Sequence, residues 1–296
     1  MKSKRLYIYI IAVLAMLFWG SSFILTSIVF RYYSPVTTVF LRLLISAILL
    51  FAWIWFLGKM EKIKKGDLKL FLLSALFNPF FYFIGESYGL KLTSSSITSA
   101  IIATIPLFTP LAAFLVLGEK MSRTNILGLF ISFFGVMVMI LNKDLSFSAS
   151  PTGILFLFFA VVSAIVYMIF LKKLSHRYSA YFIIAFQNLL GALYFLPFFL
   201  IFDFQEFITV KPDFTLVVSL LSLAIFCSSL AFVFFTISTR EIGIGRTNVF
   251  SNLIPVFTAI FSFLILSEFF SLHKIFGILL IVFGLYLSQI KSKQLI

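Results

Sequence analysis

The chain consists of long apolar stretches separated by short polar connections, and this alternation leaves few folds open to it. Ten of the stretches have about the length, roughly 20 residues, that a helix needs to cross a hydrocarbon core of about 30 Å. Lipid offers no hydrogen-bond partners, so a segment at that depth must pair its own backbone groups, as a helix does. The sequence therefore predicts an all-α integral membrane protein with ten transmembrane helices. The predicted spans are residues 6–30, 36–57, 70–90, 92–118, 124–142, 145–171, 178–202, 214–239, 247–267 and 272–290.

The composition excludes the other broad classes of protein. Hydrophobic residues make up 62% of the chain and charged residues only 11%, which no soluble domain of this size matches. The single cysteine, Cys227, excludes a disulfide framework. The two histidines, His176 and His273, are too far apart in the sequence to build a metal cluster. We therefore expect no cofactor and no metal.

Two enzyme signatures are missing from the sequence, which contains no HExxH motif and no glycine-rich phosphate-binding loop. Its connections are also too short to hold a nucleotide-binding domain. We expect a protein that is not an enzyme and does not hydrolyse ATP.

Basic residues are concentrated on alternate connections. Five lysines lie between residues 59 and 69, after the second predicted span, whereas Lys211 is the only basic residue between the seventh and eighth spans. Because cytoplasmic connections carry the excess of Lys and Arg, this pattern places both termini in the cytoplasm. The membrane that we expect is the inner membrane of a prokaryote. The net charge of +13 then reflects orientation in the lipid bilayer, and no nucleic-acid partner is expected.

The chain also repeats itself at an offset of 149 residues. Residues 98–135 match residues 247–284 without gaps at 14 of 38 positions, including a proline, a glutamate and two glycines. The repeat divides the chain into residues 1–144 and 145–296, with five predicted spans in each. Because five is odd, the second half enters the membrane from the opposite side. Inverted repeats around a central cavity are typical of secondary transporters.

Two sequence patterns resemble a known family. The pattern that runs from Pro106 to Gly135 recurs from Pro255 to Gly284, and Phe18-Trp19-Gly20-Ser21 precedes Arg42 in the second span. Together they resemble the EamA family of the drug/metabolite transporter superfamily. The resemblance implies a ten-helix transporter with a central cavity that exports or imports amino acids, metabolites or drug-like compounds, usually without ATP. The second repeat departs from the family pattern in two places. It has Ser163-Ala164 where family members often carry Trp with a small residue, and Gln187 or its neighbour stands where the first repeat has an arginine.

Arg42 and Glu86 are the only ionisable residues well inside the predicted spans. A charge at that depth costs several kcal/mol unless it is paired or faces water. Two interpretations remain open. The two side chains form an ion pair that holds the second and third spans together, or they face a water-filled cavity where Glu86 titrates and Arg42 binds a carboxylate.

Other polar side chains fall on single helical faces. Asn78, Tyr82 and Glu86 share one face of the third span, and the ninth span has a similar polar face. Such faces either hydrogen-bond to neighbouring helices or line a cavity. The candidate substrate-binding residues are Trp19, Arg42, Asn78, Tyr82, Glu86, Tyr167, Gln187, Asn188, Asn248, Ser251 and Asn252.

Prolines within the spans predict kinks. Pro79 removes a backbone donor from the third span, while Pro106 and Pro255 occupy equivalent positions in the two repeats. Kinked helices near the midplane are where transporters expose backbone to substrate, although a kink used only for packing is the alternative. Glu119 and Glu268 end their spans, where the helix dipole disfavours an anion, so we expect them to have structural or gating roles.

These features predict a secondary active transporter that works by alternating access, with protons or an exchanged solute as candidate drives. One intramembrane arginine is too few to bind a polyphosphate. A purely apolar drug would leave the side-chain amides within the spans without hydrogen-bond partners. These amides belong to Asn78, Gln187, Asn188, Asn248 and Asn252. The expected substrate is an amino acid or another small zwitterionic or neutral polar metabolite. The alternative is a lipid scramblase, flippase or channel. The sequence does not indicate the oligomeric state.

Overall fold

The computed structural model describes residues 2–108, 122–141, 149–268 and 272–289. Helix accounts for 87% of the structure, and the described residues form no strand. In chain order the helices are α1 (Lys2–Val29), α2 (Pro35–Phe56), α3 (Asp67–Leu92), α4 (Ser95–Phe108), α5 (Arg123–Ile140), α6 (Pro151–Ser175), α7 (Ala180–Thr209), α8 (Phe214–Ile242), α9 (Arg246–Leu266) and α10 (Leu272–Gln289).

Eight of the described helices are long and apolar enough to cross a membrane. Helices α4 and α10 are also apolar but shorter within the residues that the structure describes. Many large apolar side chains, mostly Leu, Ile and Phe, are exposed on the outside of the bundle, where they suit contact with lipid chains. The chain is therefore a multi-pass membrane protein.

Polar residues in the connections define where several helices begin. Ser34 and Ser179 accept hydrogen bonds from backbone N–H groups in the first turns of α2 and α7. Ser122 and Asn125 form a reciprocal capping box at the start of α5, and Asp213 caps α8. Each cap satisfies a backbone donor that the helix itself leaves unpaired.

Two predicted spans differ clearly from the helices. Helix α6 begins at Pro151, six residues after the predicted start at 145, because proline suits the first turn of a helix. Helix α7 continues to Thr209, beyond the predicted end at 202. Its extension is stabilised at Asp203, which accepts hydrogen bonds from the N–H (3.2 Å) and hydroxyl (2.9 Å) of Thr37.

Helices from the two parts of the chain pack against each other in pairs. Helix α5 packs along α10, α2 along α7, and α3 along α6, while α1 packs against α8 and α9. The α5–α10 contact is close because glycines face each other, with Gly135 beside Gly277 and Gly284 beside Gly128. These contacts arrange α1, α2, α3, α4, α6, α8 and α9 around the middle of the bundle.

Two helices change their winding near mid-span. Asn78 in α3 has extended backbone angles (φ −147°, ψ 116°), so the helix is interrupted there, immediately before Pro79. In α8 the segment Leu223–Leu230 is wound in wider, π-helical turns. Such turns free backbone carbonyls and often mark functional sites.

Candidate functional site

A cavity of about 70 Å³ lies in the middle of the bundle. Helices α1, α2, α3, α4, α6, α8 and α9 all contribute to its wall. Eight residues predicted from the sequence line it: Trp19, Arg42, Asn78, Tyr82, Glu86, Pro106, Tyr167 and Ser251. The rest of the wall is mainly apolar and aromatic, so the cavity combines a few polar groups with a largely hydrophobic surface, as small-molecule sites do.

Arg42 lies in the wall with its side chain 2% exposed. Its Nε donates to the hydroxyl of Ser228 at 2.8 Å, and its guanidinium carbon lies 4.6 Å from the centre of the Phe83 ring. No carboxylate of the described residues lies within ion-pair distance of it. Its two Nη groups therefore keep their donors available on the cavity side, as binding of a carboxylate requires.

Glu86 faces the same cavity from α3. Its Oε1 accepts a long hydrogen bond of 3.4 Å from the hydroxyl of Tyr82, one turn earlier on the helix. The ion pair between Arg42 and Glu86, one of the two interpretations from the sequence, is not formed in this structure. The cavity thus contains a cation and an acidic group that do not neutralise each other by contact.

Neutral polar side chains also contribute to the wall, among them Trp19 and Asn78. The indole N–H of Trp19 is buried without an acceptor in the described part of the chain, and its rings lie 5.0 Å from those of Phe232 and Phe235. Asn78, which is 6% exposed, also lines the wall. A buried donor without a partner is costly, so the indole N–H of Trp19 is suited to bind a polar ligand.

Gln187 and Asn188 of α7 do not line the cavity. Gln187 accepts from the hydroxyl of Tyr167 at 3.2 Å and donates to Ser74 at 2.6 Å. Asn188 donates to Ser46 at 2.7 Å and to the backbone carbonyl of Ser228 at 3.0 Å. Both amides therefore join helices to one another, and Asn188 also holds the segment that carries the hydroxyl bound by Arg42.

The polar face of α9 is divided between the cavity and the helix interface. Ser251 lines the cavity, whereas Asn248 and Asn252 are buried outside its wall. The side-chain oxygen of Asn252 has no hydrogen-bond donor among the described residues. The structure thus brings one of the three predicted residues of this helix to the site.

The predicted kink and gating residues are spread over the bundle. Pro106 lines the cavity, and Pro255 is buried next to Ile254, which also lines it. Pro79 packs against Gly191 of α7. The carboxylate of Glu268 lies 3.5 Å from the ammonium group of Lys274. Glu119 lies outside the described residues.

Sequence reasoning missed several phenylalanines and two serines at this site. Phe83, Phe232 and Phe235 form much of the wall, yet nothing distinguishes them among the 42 phenylalanines of the chain. Ser22 also lines the cavity. Ser228 contacts Arg42, and the adjacent serines 228 and 229 in an apolar span were the available signal for it.

Comparison with known proteins agrees with this architecture. A solved structure described as "Crystal structure of protein" superposes with a TM-score of 0.72 at 18% identity, covering 97% of this chain and 99% of the other, which shows a shared fold. An uncharacterized transporter of Archaeoglobus fulgidus is 29% identical over 97% of this chain and 98% of its own length. The uncharacterized transporter YetK of Bacillus subtilis is 26% identical over 98% and 89%.

The family comparison covers nearly the whole chain. The model of the EamA-like transporter family matches twice, over residues 6–141 and again over residues 151–289. The chain therefore belongs to the EamA-like transporter family.

Proposed function

We propose that this membrane transporter is a secondary active carrier that moves a small zwitterionic or neutral polar metabolite by alternating access. The observation that carries the proposal is the central cavity, where Arg42 contributes guanidinium donors with no carboxylate partner in the described residues. An amino acid with an apolar side chain fits this chemistry. Its carboxylate pairs with Arg42, its ammonium group with Glu86, and its side chain with the phenylalanines of the wall.

The proposal includes two inverted halves of five transmembrane helices each, residues 1–144 and 145–296. The two matches of the family model support it, since they fall on either side of this boundary. The packing supports it as well. Inversion exchanges α1 with α6, α3 with α8, and α4 with α9, so that the α1–α8 contact corresponds to α6–α3 and the α1–α9 contact to α6–α4.

The proposal also includes the energy source of transport. Glu86 is the one carboxylate in the described part of the cavity wall, so it is the residue through which proton movement would couple to transport. Exchange of one solute for another needs no such group. We propose that the protein lies in the inner membrane of a prokaryote with both termini on the cytoplasmic side. This orientation also puts the lysine-rich α2–α3 connection on the cytoplasmic side, as the excess of Lys in that connection favours.

The test begins with a metabolite comparison between cells that overproduce the protein and cells that lack it. Solutes that differ are then assayed in proteoliposomes of the purified protein, each acid beside its amide. Arg42→Ala should lower transport of the acid by about tenfold or more, since a hydrogen bond to a charged group contributes about 1.5–3 kcal/mol, and should change transport of the amide far less. Arg123→Ala, at an exposed arginine, serves as the control.

Three results would contradict the proposal. Equal losses for acid and amide would mean that Arg42 only holds the bundle together. Efficient transport of a sugar nucleotide would contradict the substrate class. Lipid or ion flux without saturable, gradient-driven solute transport would indicate the scramblase or channel instead.

A further inference from the structure

Two carboxylates at opposite ends of the bundle join helices from different halves of the chain. At the end that contains the α2–α3 connection, Asp67 accepts a hydrogen bond and ion pair from Arg177 and a hydrogen bond of 2.9 Å from the hydroxyl of Tyr178. At the opposite end, the hydroxyl of Tyr32 donates to Asp213 at 2.6 Å. We name these contacts the Asp67 latch and the Asp213 latch.

The two latches occupy matching places in the repeats. Ser34 caps α2 and Ser179 caps α7, the second helices of the two halves. Tyr32 lies two residues before the first cap, and Arg177 lies two residues before the second. The two carboxylates stand at the starts of α3 and α8, the third helices. In each latch, therefore, the turn before the second helix of one half binds the start of the third helix of the other half.

The latches differ in strength. Asp67 is 4% exposed, and the Tyr178 hydroxyl that binds it also accepts the backbone N–H of Lys64 at 2.9 Å. The contact between Tyr32 and Asp213 lies at the surface. Separating the buried carboxylate of Asp67 from its two partners would leave a charge unpaired, which costs more than breaking a single exposed hydrogen bond. The end of the bundle with the Asp67 latch is thus held more firmly.

Both latched helices form part of the cavity wall. Helix α3 contributes Asn78 and Glu86, and helix α8 contributes Phe232 and Phe235. Movement of the start of either helix away from the turn that holds it would open a path between the cavity and that end of the bundle. The helices α2 and α7 pack along each other and are bonded at both ends, so they are suited to stay together.

We propose that the two latches are the gates of alternating access, broken one at a time, and that Asp67, Arg177, Tyr32 and Asp213 are gating residues. This inference rests on the proposed function. Exchange of the two halves by inversion turns a state with one latch broken into a state with the other broken. Because the Asp213 latch is the weaker, the resting protein opens at the Asp213 end and stays closed at the Asp67 end.

The test measures access to the cavity and needs no substrate. A single cysteine is placed in the wall by Ser251→Cys after Cys227→Ser removes the native thiol. A membrane-impermeant maleimide then reacts from either side of reconstituted vesicles. We expect faster labelling from the Asp213 end in the parent protein. Asp67→Asn should raise the labelling rate from the Asp67 end at least threefold and lower the rate from the Asp213 end. Asp213→Asn should raise the labelling rate from the Asp213 end by a smaller factor.

Two further variants keep the test decisive. Arg177→Gln, at a half-exposed side chain, should reproduce the effect of Asp67→Asn even if that variant folds poorly. Glu61→Gln is the matched control, because Glu61 lies at the same end and accepts the N–H of Ser179 at 3.0 Å, between α2 and α7. It should leave labelling from both sides unchanged.

The outcomes separate the gates from the transport function. Equal increases from both ends in Asp67→Asn would indicate a general loosening and overturn the proposal, as would no change in either latch variant. Side-specific changes in a protein that transports no solute would support the latches and contradict the proposed function alone.

Discussion

Arg42 illustrates how a charged residue is held in place inside an apolar bundle. Ser228 accepts from its Nε, and the Phe83 ring covers one face of its guanidinium group. Cation–π contact stabilises a charge removed from water without using its N–H donors. The arginine is therefore fixed in place while its Nη groups stay available on the cavity side.

A first prediction concerns Ser228, which we regard as a positioning residue. Ser228→Ala removes the hydroxyl that orients Arg42, so the KM for a carboxylate substrate should rise about tenfold, a loss of roughly 1.4 kcal/mol, with less change for its amide. Ser228→Thr should restore the hydroxyl and the KM. Ser229→Ala is the control, since Ser229 binds Ser46 and not Arg42. Equal effects of the two alanine variants would refute the positioning role.

A second prediction concerns Glu86. Glu86→Gln keeps the size and hydrogen bonding of the side chain but removes its titration. Accumulation driven by a pH gradient should be lost, whereas exchange of substrate across the membrane should persist. Glu206→Gln, at an exposed carboxylate near the end of α7, should change neither activity. If Glu86→Gln retains gradient-driven accumulation in proteoliposomes, coupling runs through another group.

At the scale of elements, the contact between α5 and α10 depends on small residues. The hydroxyl of Ser132 donates to the backbone carbonyl of Ile281 at 2.9 Å, which requires close approach of the two helices. A Cβ atom at Gly284 would lie 2.6 Å from the carbonyl oxygen of Gly128. Without a hydrophobic drive between helices in lipid, such close packing supplies much of the association energy.

The third prediction follows from this contact. Gly284→Val forces the two helices apart and should lower stability by about 1–3 kcal/mol, as overpacking does. A fall in the midpoint of thermal unfolding of the detergent-solubilised protein would reveal it. Phe283→Val changes the neighbouring, exposed position and should leave the midpoint nearly unchanged. An unaltered midpoint for Gly284→Val would mean that α5 and α10 do not pack this closely.

At the scale of the whole molecule, the fourth prediction is the topology. Cysteines introduced at Lys62 and at Glu206 lie at opposite ends of the bundle, so an impermeant reagent should label position 62 only from the cytoplasm and position 206 only from outside. Labelling of intact and inverted vesicles measures this. Labelling of both positions from the same side would rule out the inverted halves.

Much of the candidate site could be predicted because polar residues inside apolar spans are conspicuous. Arg42, Asn78 and Glu86 stand out for this reason, and all three line one cavity. Gln187 and Asn188 stand out equally, yet they bind neighbouring helices. A helical face can be read from spacing, but whether that face meets a cavity or another helix depends on the rotation of helices from distant parts of the chain.

The sequence by itself determined that the chain spans a membrane as a helical bundle, because lipid excludes unpaired backbone and long apolar runs indicate such helices directly. Its motifs and their repeat, matched by the family model, determined that it belongs to a transporter family. Only the tertiary structure decided which polar groups share the cavity and which of them pair with each other. It separated Arg42 from Glu86 and joined Asp67 to Arg177, 110 residues away in the chain. Such pairings depend on packing between distant helices, and local sequence carries no record of them.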